Sequence, residues 1–441
     1  MTDATIAPAE PDGAARLPVL DVLRGLAILG ILFMNINDMG GSIYDSFGGD
    51  PRVFGWTIAD QVAWWLREVL ANGTARCLLE MLFGVGMVIL TDRAATRLSR
   101  KEVLRGYAFR NLVLFAFGMV HVLILLWPGD ILHTYGLAAL VAVLFRRLPP
   151  RWLLTIGLVL ASLQLVGVTV GTAFSLHQRS SEAALLTKQT SGQKLTAPER
   201  KQLDAITKSK VARAKQRADM RALATEENRQ RSSGIAREWV AAAWGSFWYM
   251  ESRFLEIAFV WEAAGTMLIG AALYKLGIIQ GARSRRYYAG LTVITYAFGL
   301  GCRAWAAWAT TRFDHSPSFF QAPGEFARIA TTLGHIGLVN LLLLSLVGAR
   351  AVKPFEAAGR TALSIYIAQT LICLWVLYPP WGLALYGHQG WAAMMATALA
   401  VNAALLIGAN WWVRRYRIAP VEWAWRSIVA GQRLPFRRTA A

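Results

Sequence analysis

Asp130 and His133 stand three residues apart in the segment WPGDILH, between two apolar stretches of the chain. If a helix starts here, both side chains lie on one face of it. A carboxylate at that distance orients an imidazole and raises its basicity, which is what a general base requires. Helix capping alone would also explain Asp130, because the WPGD turn precedes the helix start. Capping does not explain His133, so we predict His133 as a base that Asp130 orients.

Further polar side chains fall within the apolar stretches, where an ionised group costs at least ~2.5–3.5 kcal/mol at the centre of a spanning helix. His121 is a second candidate for catalysis, although an interhelical hydrogen bond is the simpler explanation of a single histidine there. Asn35 is a further catalytic candidate. The remaining candidates, predicted to contact a substrate, are Glu80, Glu256, Glu262, His335 and Gln369.

Cationic residues mark the opposite ends of the apolar stretches. Arg24, Arg110 and Arg360 lie there, and Arg24 follows Asp21 by three residues. An ion-paired anchor explains Asp21 and Arg24 without further function. The alternative is a positively charged entrance that binds a phosphorylated ligand, because arginine binds phosphate in a bidentate manner.

The composition indicates a membrane protein. Of the 441 residues 55% are hydrophobic and only 17% are charged, and the mean hydropathy is +0.38. The net charge of +19 does not indicate nucleic-acid binding, because the Lys and Arg residues lie mainly between apolar runs. The three cysteines lack the spacing of metal ligands, and no metal site is predicted. Phosphate-loop, dinucleotide-binding, HExxH and GxSxG motifs are absent from the sequence.

The fold predicted from these patterns is an all-α, polytopic transmembrane bundle of about ten spans. A bilayer core of about 30 Å needs about 20 apolar residues as a helix. Such runs fall near residues 18–37, 76–92, 106–126, 130–146, 152–175, 254–275, 287–310, 327–348, 360–378 and 391–413. The stretch 57–71 carries Asp60, Arg67 and Glu68, so we predict an interfacial amphipathic helix there. If it spanned instead, every later orientation would reverse.

Alternate gaps between the spans are basic, which gives the bundle a direction. The gaps 127–130 and 378–390 carry no Lys or Arg, whereas 93–105, 146–151, 275–286 and 349–360 do. The positive-inside rule then places both termini in the cytoplasm and His133 near the outer face. We expect a disordered cytoplasmic tail at 1–16, membrane halves at 17–176 and 239–413, and a basic cytoplasmic tail at 414–441.

A polar, basic and helical insertion is predicted at 177–238, outside the membrane between spans five and six. The pattern TAPE from Thr196 to Glu199 is a capping box with proline in the first turn. A solvated helical excursion without chemistry is the simplest interpretation. The alternative is a scaffold or sensor whose basic insertion binds an anionic partner.

Five segments together resemble the YeiB-like family of bacterial membrane proteins, a family of unknown function. They are LDVLRGLAILGILFMNI (20–36), LFGVGM (82–87), GMVHVLILLWPGDILHTYGLAAL (118–140), GRTALSIYIAQTLI (359–372) and APVEWAWRSI (419–428). That family is distantly similar to transmembrane acyltransferases such as heparan-α-glucosaminide N-acetyltransferase. The resemblance implies a multi-pass protein of the bacterial inner membrane.

The same resemblance implies acyl transfer from cytoplasmic acyl-CoA, as co-substrate, to a hydroxyl or amine at the outer face. The acceptor would be an envelope carbohydrate, a lipid or a small molecule. Arg24, Arg110 and Arg360 would hold CoA, and Asn35 would position the acyl carbonyl. The chain departs from the related acyltransferases because it has no histidine before His121. The alternative function is a transporter or exporter in which buried ionisable groups relay protons.

Overall fold

The computed structural model describes residues 17–314 and 318–437, and within these ranges the chain forms helices and no strand. The predicted tail at 1–16 and the last four residues of the predicted C-terminal tail lie outside the described ranges. The helices are α1 (Pro18–Gly40), α2 (Ile43–Gly48), α3 (Ile58–Leu66), α4 (Thr74–Ala95), α5 (Arg100–Leu123), α6 (Leu132–Ala142), α7 (Pro150–Thr190), α8 (Ala197–Ser232), α9 (Ala236–Ser252), α10 (Leu255–Lys275), α11 (Arg285–Thr310), α12 (Gly324–Leu343), α13 (Leu346–Arg360), α14 (Ala362–Leu371), α15 (Trp391–Arg415) and α16 (Pro420–Ala430).

Seven helical stretches of the described chain are long and apolar enough to cross a membrane: α1, α3 continued into α4, α5, α7, α10, α12 and α15. The pair α13 and α14, bent by 78°, makes an eighth if it is counted as one span. The predicted all-helical, polytopic fold is confirmed, but the count of ten is not. Of the two other predicted spans, 130–146 contains only the short helix α6, and 287–310 corresponds to α11, which is not among the seven.

Glycines let α4 and α10 approach closely at the centre of the bundle. A Cβ added to Gly84 would lie 1.8 Å from the carbonyl oxygen of Met267, and one added to Gly270 would lie 2.1 Å from that of Met81. Gly86, two residues away, has nothing within 4 Å of such a Cβ. Only small residues allow backbones to pack this tightly in a membrane bundle. Gly84 therefore belongs to the helix–helix contact, whereas Gly86 does not.

The stretch 57–71 forms α3 and a wide π-type turn, Arg67–Ala71, which leads almost directly into α4. Arg303 of α11 braces this turn by donating to the carbonyl oxygens of Val69 at 2.7 Å and Asn72 at 2.6 Å. Helix α3 and α4 thus form one 38-residue helical stretch. The interfacial position of 57–71 stays a prediction.

The insertion is a long helical hairpin. Helix α7 has 41 residues and continues through the predicted boundary at 176 to Thr190, because a change to polar residues does not end a helix. Thr196 and Glu199 form the predicted capping box at the start of α8. Glu199 also accepts a hydrogen bond from Lys188 of α7 at 2.7 Å. The first helix of the hairpin is therefore a direct continuation of the helix of the fifth predicted span.

Candidate functional site

A cavity of about 600 Å³ lies where the C-terminal end of α1 meets the N-terminal ends of α4, α6 and α10. Helix α2, the turn after α3 and the ends of α9 and α11 also line it. Five of the predicted site residues line it: Asn35, Glu80, Asp130, His133 and Glu256. The cavity is therefore the best candidate for a functional site in the described part of the chain.

Four polar side chains form a continuous chain of hydrogen bonds that leads from the cavity wall into the bundle. Asp130 bonds through Oδ2 to His133 Nδ1 at 2.9 Å and through Oδ1 to His121 Nδ1 at 2.6 Å. His121 Nε2 meets the hydroxyl of Thr370 on α14 at 2.8 Å. All of these groups are buried, and the side chains of His121 and Asp130 are fully so. The arrangement, called the histidine relay below, fixes the ring of His133 with Nε2 directed away from Asp130.

Local backbone geometry brings the histidine relay together. Leu126 adopts the left-handed φ of 65°, which reverses the chain between α5 and α6 so that Asp130 faces His121. A Cβ on Gly118 would lie 2.3 Å from the amide nitrogen of His133, so only glycine lets α5 approach α6 here. The amide of His133 also donates to Asp130 at 2.9 Å. Asp130 therefore caps α6 and orients the histidines at the same time.

The cavity side of His133 is acidic. His133 Nε2 lies 3.3 Å from Glu256 Oε2, and Glu251 at the end of α9 lies beside both. Burial, and next the neighbouring carboxylate of Glu256, raise the pKa of Glu251 above its ordinary value. Nine carboxylates line the cavity, against the guanidinium groups of Arg67 and Arg76. Such a lining favours cations and disfavours phosphates.

A cluster of charged side chains, three of them buried and two half-buried, joins the cavity to the centre of the bundle and is called the ionic cluster below. It consists of Arg76, Glu80, Glu262, Glu325 and Arg328 on α4, α10 and α12. Arg328 reaches Glu80 at 3.2 Å, Glu262 at 2.8 Å and Glu325 at 2.6 Å, and Arg76 reaches Glu262 at 2.6 Å. Glu262 therefore lies behind the cavity wall, joined to it through Arg76.

Two predicted site residues lie elsewhere and connect helices. His335 on α12 contacts the hydroxyl of Tyr296 at 2.7 Å, and it does not line the cavity. Gln369 on α14 donates to the carbonyl of Ile28 at 3.2 Å and to the side chain of Asn402 at 3.0 Å. Both have the interhelical hydrogen bonds that explain polar groups in a bundle without catalysis.

The three predicted CoA-binding arginines lie away from the cavity. Arg24 is 11 residues before Asn35 on α1, or about 16 Å along the helix. Arg24 and Arg360 each adjoin, in sequence, a glycine of the tight contact between α1 and α13: a Cβ on Gly25 would lie 2.9 Å from the amide nitrogen of Gly359. Arg24 pairs with Asp21 at 3.0 Å, and Arg110 stacks on Trp425 of α16 with 3.9 Å from Cζ to the ring centroid.

Sequence reasoning missed Arg76, Glu251 and Arg328. Arg76 is the first residue of the predicted span 76–92 and Arg328 is the second of 327–348, positions where a charge is easily mistaken for an interfacial anchor. What distinguishes both arginines is a charge contact with a glutamate far away in sequence, which the local sequence does not show. Glu251 lies just outside the apolar runs, and no local pattern indicates its contact with His133.

Comparison with known proteins gives relatives whose names assign no activity. Residues 273–432 match the model of the family described as "Protein of unknown function (DUF418)". Over 426 residues the chain is 29% identical to the uncharacterized protein YxaH of Bacillus subtilis (strain 168), covering 93% of this chain and 94% of that protein. It is 28% identical over 420 residues to the uncharacterized protein YeiB of Escherichia coli (strain K12), covering 94% and 96%. No solved structure matches the chain. The chain is thus a multi-pass membrane protein, and its predicted resemblance to the uncharacterized YeiB-like family is confirmed.

Proposed function

We propose that the protein is a membrane-embedded acyltransferase that modifies a hydroxyl or amine acceptor bound in the cavity. The observation that carries this proposal is the histidine relay, which ends with Nε2 of His133 at the cavity wall. Asp130 holds Nδ1, so an acceptor must meet Nε2, where it takes the place of the Glu256 carboxylate that lies 3.3 Å away. This is the arrangement of a general base with an orienting carboxylate.

In the proposed reaction, His133 Nε2 removes the proton of the acceptor as its oxygen or nitrogen attacks the carbonyl carbon of an acyl thioester. The new acyl bond forms, the carbon–sulfur bond breaks, and the thiolate of CoA leaves with the proton that the His133 imidazolium gives up. Asn35 on the cavity wall supplies an amide donor for the developing oxyanion. Each element of this scheme uses a residue that reaches the cavity or its wall.

The phosphates of CoA do not suit the acidic cavity. Their proposed place is the other end of α1, where Arg24 and Arg360 lie next to the close contact of Gly25 with Gly359. Arg110 on α5 is the third proposed ligand. The acyl arm would then bridge the about 16 Å between Arg24 and Asn35 along α1. In the proposed orientation both termini and these arginines lie on the cytoplasmic side of the inner membrane.

Acyl transfer by purified protein tests the proposal. The protein is incubated with labelled acetyl-CoA and an extract of bacterial envelope components, and transferred label is measured. We expect transfer by the wild type and by His388→Ala, which changes an exposed histidine outside the cavity. Transfer is expected to fall at least about 100-fold in His133→Ala. Absence of transfer by the wild type, or full transfer by His133→Ala, would overturn the proposal.

The ionic cluster favours a second candidate, a transporter or exporter that moves protons through buried groups. Glu80 lines the cavity and contacts Arg328, which continues to Glu262 and Glu325 inside the bundle. Ionisable groups inside membranes commonly form such relays. This function predicts proton-coupled flux that Glu262→Gln abolishes and that needs no CoA. Flux unchanged by that substitution would exclude it.

A further inference from the structure

Three side chains with metal-binding atoms converge on one wall of the cavity. They are His133 of α6, Glu251 of α9 and Glu256 of α10, and one ligand atom of each lies within 4.8 Å of the others. Phe254, between the two glutamates, adopts a left-handed φ of 57°. This turn makes the end of α9 and the start of α10 present both carboxylates to the same imidazole.

His133 has the orientation of a metal ligand. Its Nδ1 is bound to Asp130 at 2.9 Å, and Asp130 is in turn held by His121 at 2.6 Å. Metal-binding histidines usually donate their second ring nitrogen to a carboxylate in this way, which fixes both the tautomer and the plane of the ring. Its Nε2 lies 3.3 Å from Glu256 Oε2. That distance matches the separation of two ligand atoms in tetrahedral zinc coordination, which is about 3.4 Å for metal–ligand bonds of about 2.0–2.1 Å.

An independent observation concerns the other oxygen of Glu256. Oε1 is buried, and no described residue donates a hydrogen bond to it. A buried acceptor without a partner is costly, and a carboxylate oxygen more so. The excess of carboxylates over arginines in the lining of the cavity attracts cations.

We propose that His133, Glu251 and Glu256 bind one divalent transition-metal ion of the zinc type. One imidazole nitrogen and two carboxylate oxygens suit Zn²⁺ better than Mg²⁺ or Ca²⁺, which prefer oxygen ligands alone. The widest ligand separation must shrink by about 1.4 Å to reach the tetrahedral edge, which rotation of a glutamate side chain supplies. The fourth coordination position faces the cavity and is open to water or to a substrate.

The metal site does not depend on the proposed acyl transfer. A bound ion engages Nε2 of His133, which then cannot act as a base. If both proposals hold, Zn²⁺ inhibits acyl transfer. Binding is measured on the protein alone, so its outcome stands apart from the outcome of the activity assay.

Equilibrium dialysis of the full-length protein against Zn²⁺ tests the site, with bound metal measured by mass spectrometry. The protein carries an affinity tag without histidine and is first treated with a chelator. We expect one Zn²⁺ per chain, at least about 10-fold weaker binding in Glu251→Gln and in Glu256→Gln, and about 10–100-fold weaker binding in Asp130→Asn. Asp50→Asn changes a cavity carboxylate outside the cluster and serves as the matched control.

Three results would overturn the proposal: no stoichiometric Zn²⁺ binding by the wild type, equal binding by both glutamine variants, or equal loss of binding in Asp50→Asn. Glu251 lies at a half-buried helix end, so its glutamine variant is expected to fold like the wild type. Circular dichroism and gel filtration of each variant establish that loss of binding is not loss of structure.

Discussion

Replacing Arg328 by methionine should destabilise the membrane domain strongly. The guanidinium group is buried and donates to Glu80 at 3.2 Å, to Glu325 at 2.6 and 2.9 Å, and to the hydroxyl of Thr266 at 3.2 Å. It also lies 2.8 Å from Glu262. Methionine fills much of the volume but leaves three carboxylates with Arg76 as the only arginine of the ionic cluster.

The expected magnitude follows from the buried charges that lose their partner. Breaking a buried ion pair by removing one member costs about 3–5 kcal/mol, because the remaining charge is neither hydrated nor neutralised. For a chain of this size that loss corresponds to a fall in Tm on the order of 5 °C. The double variant Arg328→Met with Glu325→Gln removes one of the uncompensated charges and should recover part of the loss.

Thermal unfolding can be followed through the reactivity of the buried cysteines. Cys77 and Cys373 are buried and free, so a thiol-reactive fluorogenic dye reports unfolding of the detergent-solubilised protein as it is heated. Arg229→Met is the matched control, because Arg229 pairs with Glu226 on the exposed surface of α8 and should leave Tm unchanged. If Arg328→Met melted at the temperature of the wild type, the ionic cluster would not stabilise the bundle as the distances indicate.

Three further outcomes follow from the structure. Gly84→Ala should cost about 1–3 kcal/mol of stability because its Cβ meets the backbone of α10, whereas Gly86→Ala should cost nothing, and the same melting assay compares them. Glu227→Ala should loosen the packing of the hairpin, because the Glu227 side chain links α8 to α2 by accepting hydrogen bonds from Ser42 Oγ at 2.7 Å and from the amide of Ile43 at 3.1 Å. We expect faster limited proteolysis within α8, and unchanged cleavage would argue against this link. Asp130→Asn should lower acyl transfer about 100-fold or more, because the amide cannot hold His133 as the carboxylate does, and a rate equal to that of the wild type would remove Asp130 from the mechanism.

Much of the fold could be predicted because hydrophobic length is a local property of the sequence. The predicted count of ten spans is not confirmed, because the apolar composition of 130–146 does not show that helix α6 has only 11 residues. The predicted fifth span ends at 175, where polarity begins, whereas the helix itself, α7, continues without interruption to Thr190. Helix propensity, not hydropathy, decides where such a helix stops.

For the candidate site too, contacts between residues close in sequence could be predicted, whereas contacts that depend on tertiary packing could not. The contact of Asp130 with His133 could be predicted because the two residues are only three apart, across the start of α6. The contact of Asp130 with His121 depends on the left-handed turn at Leu126, which no glycine or asparagine signals. The approach of Glu251 to His133 depends on the packing of α9, and tertiary contacts of this kind leave no mark on the local sequence.

Sealed inside-out membrane vesicles give the most direct test of the central claim, that acyl groups pass from the arginine end of the bundle to the cavity of His133. Labelled acetyl-CoA is added outside vesicles that contain the wild type, His133→Ala or His388→Ala in equal amounts. We predict label in envelope components inside the vesicles for the wild type and His388→Ala, and none above background for His133→Ala. Equal labelling by all three, or no labelling by the wild type, would contradict this account of the protein.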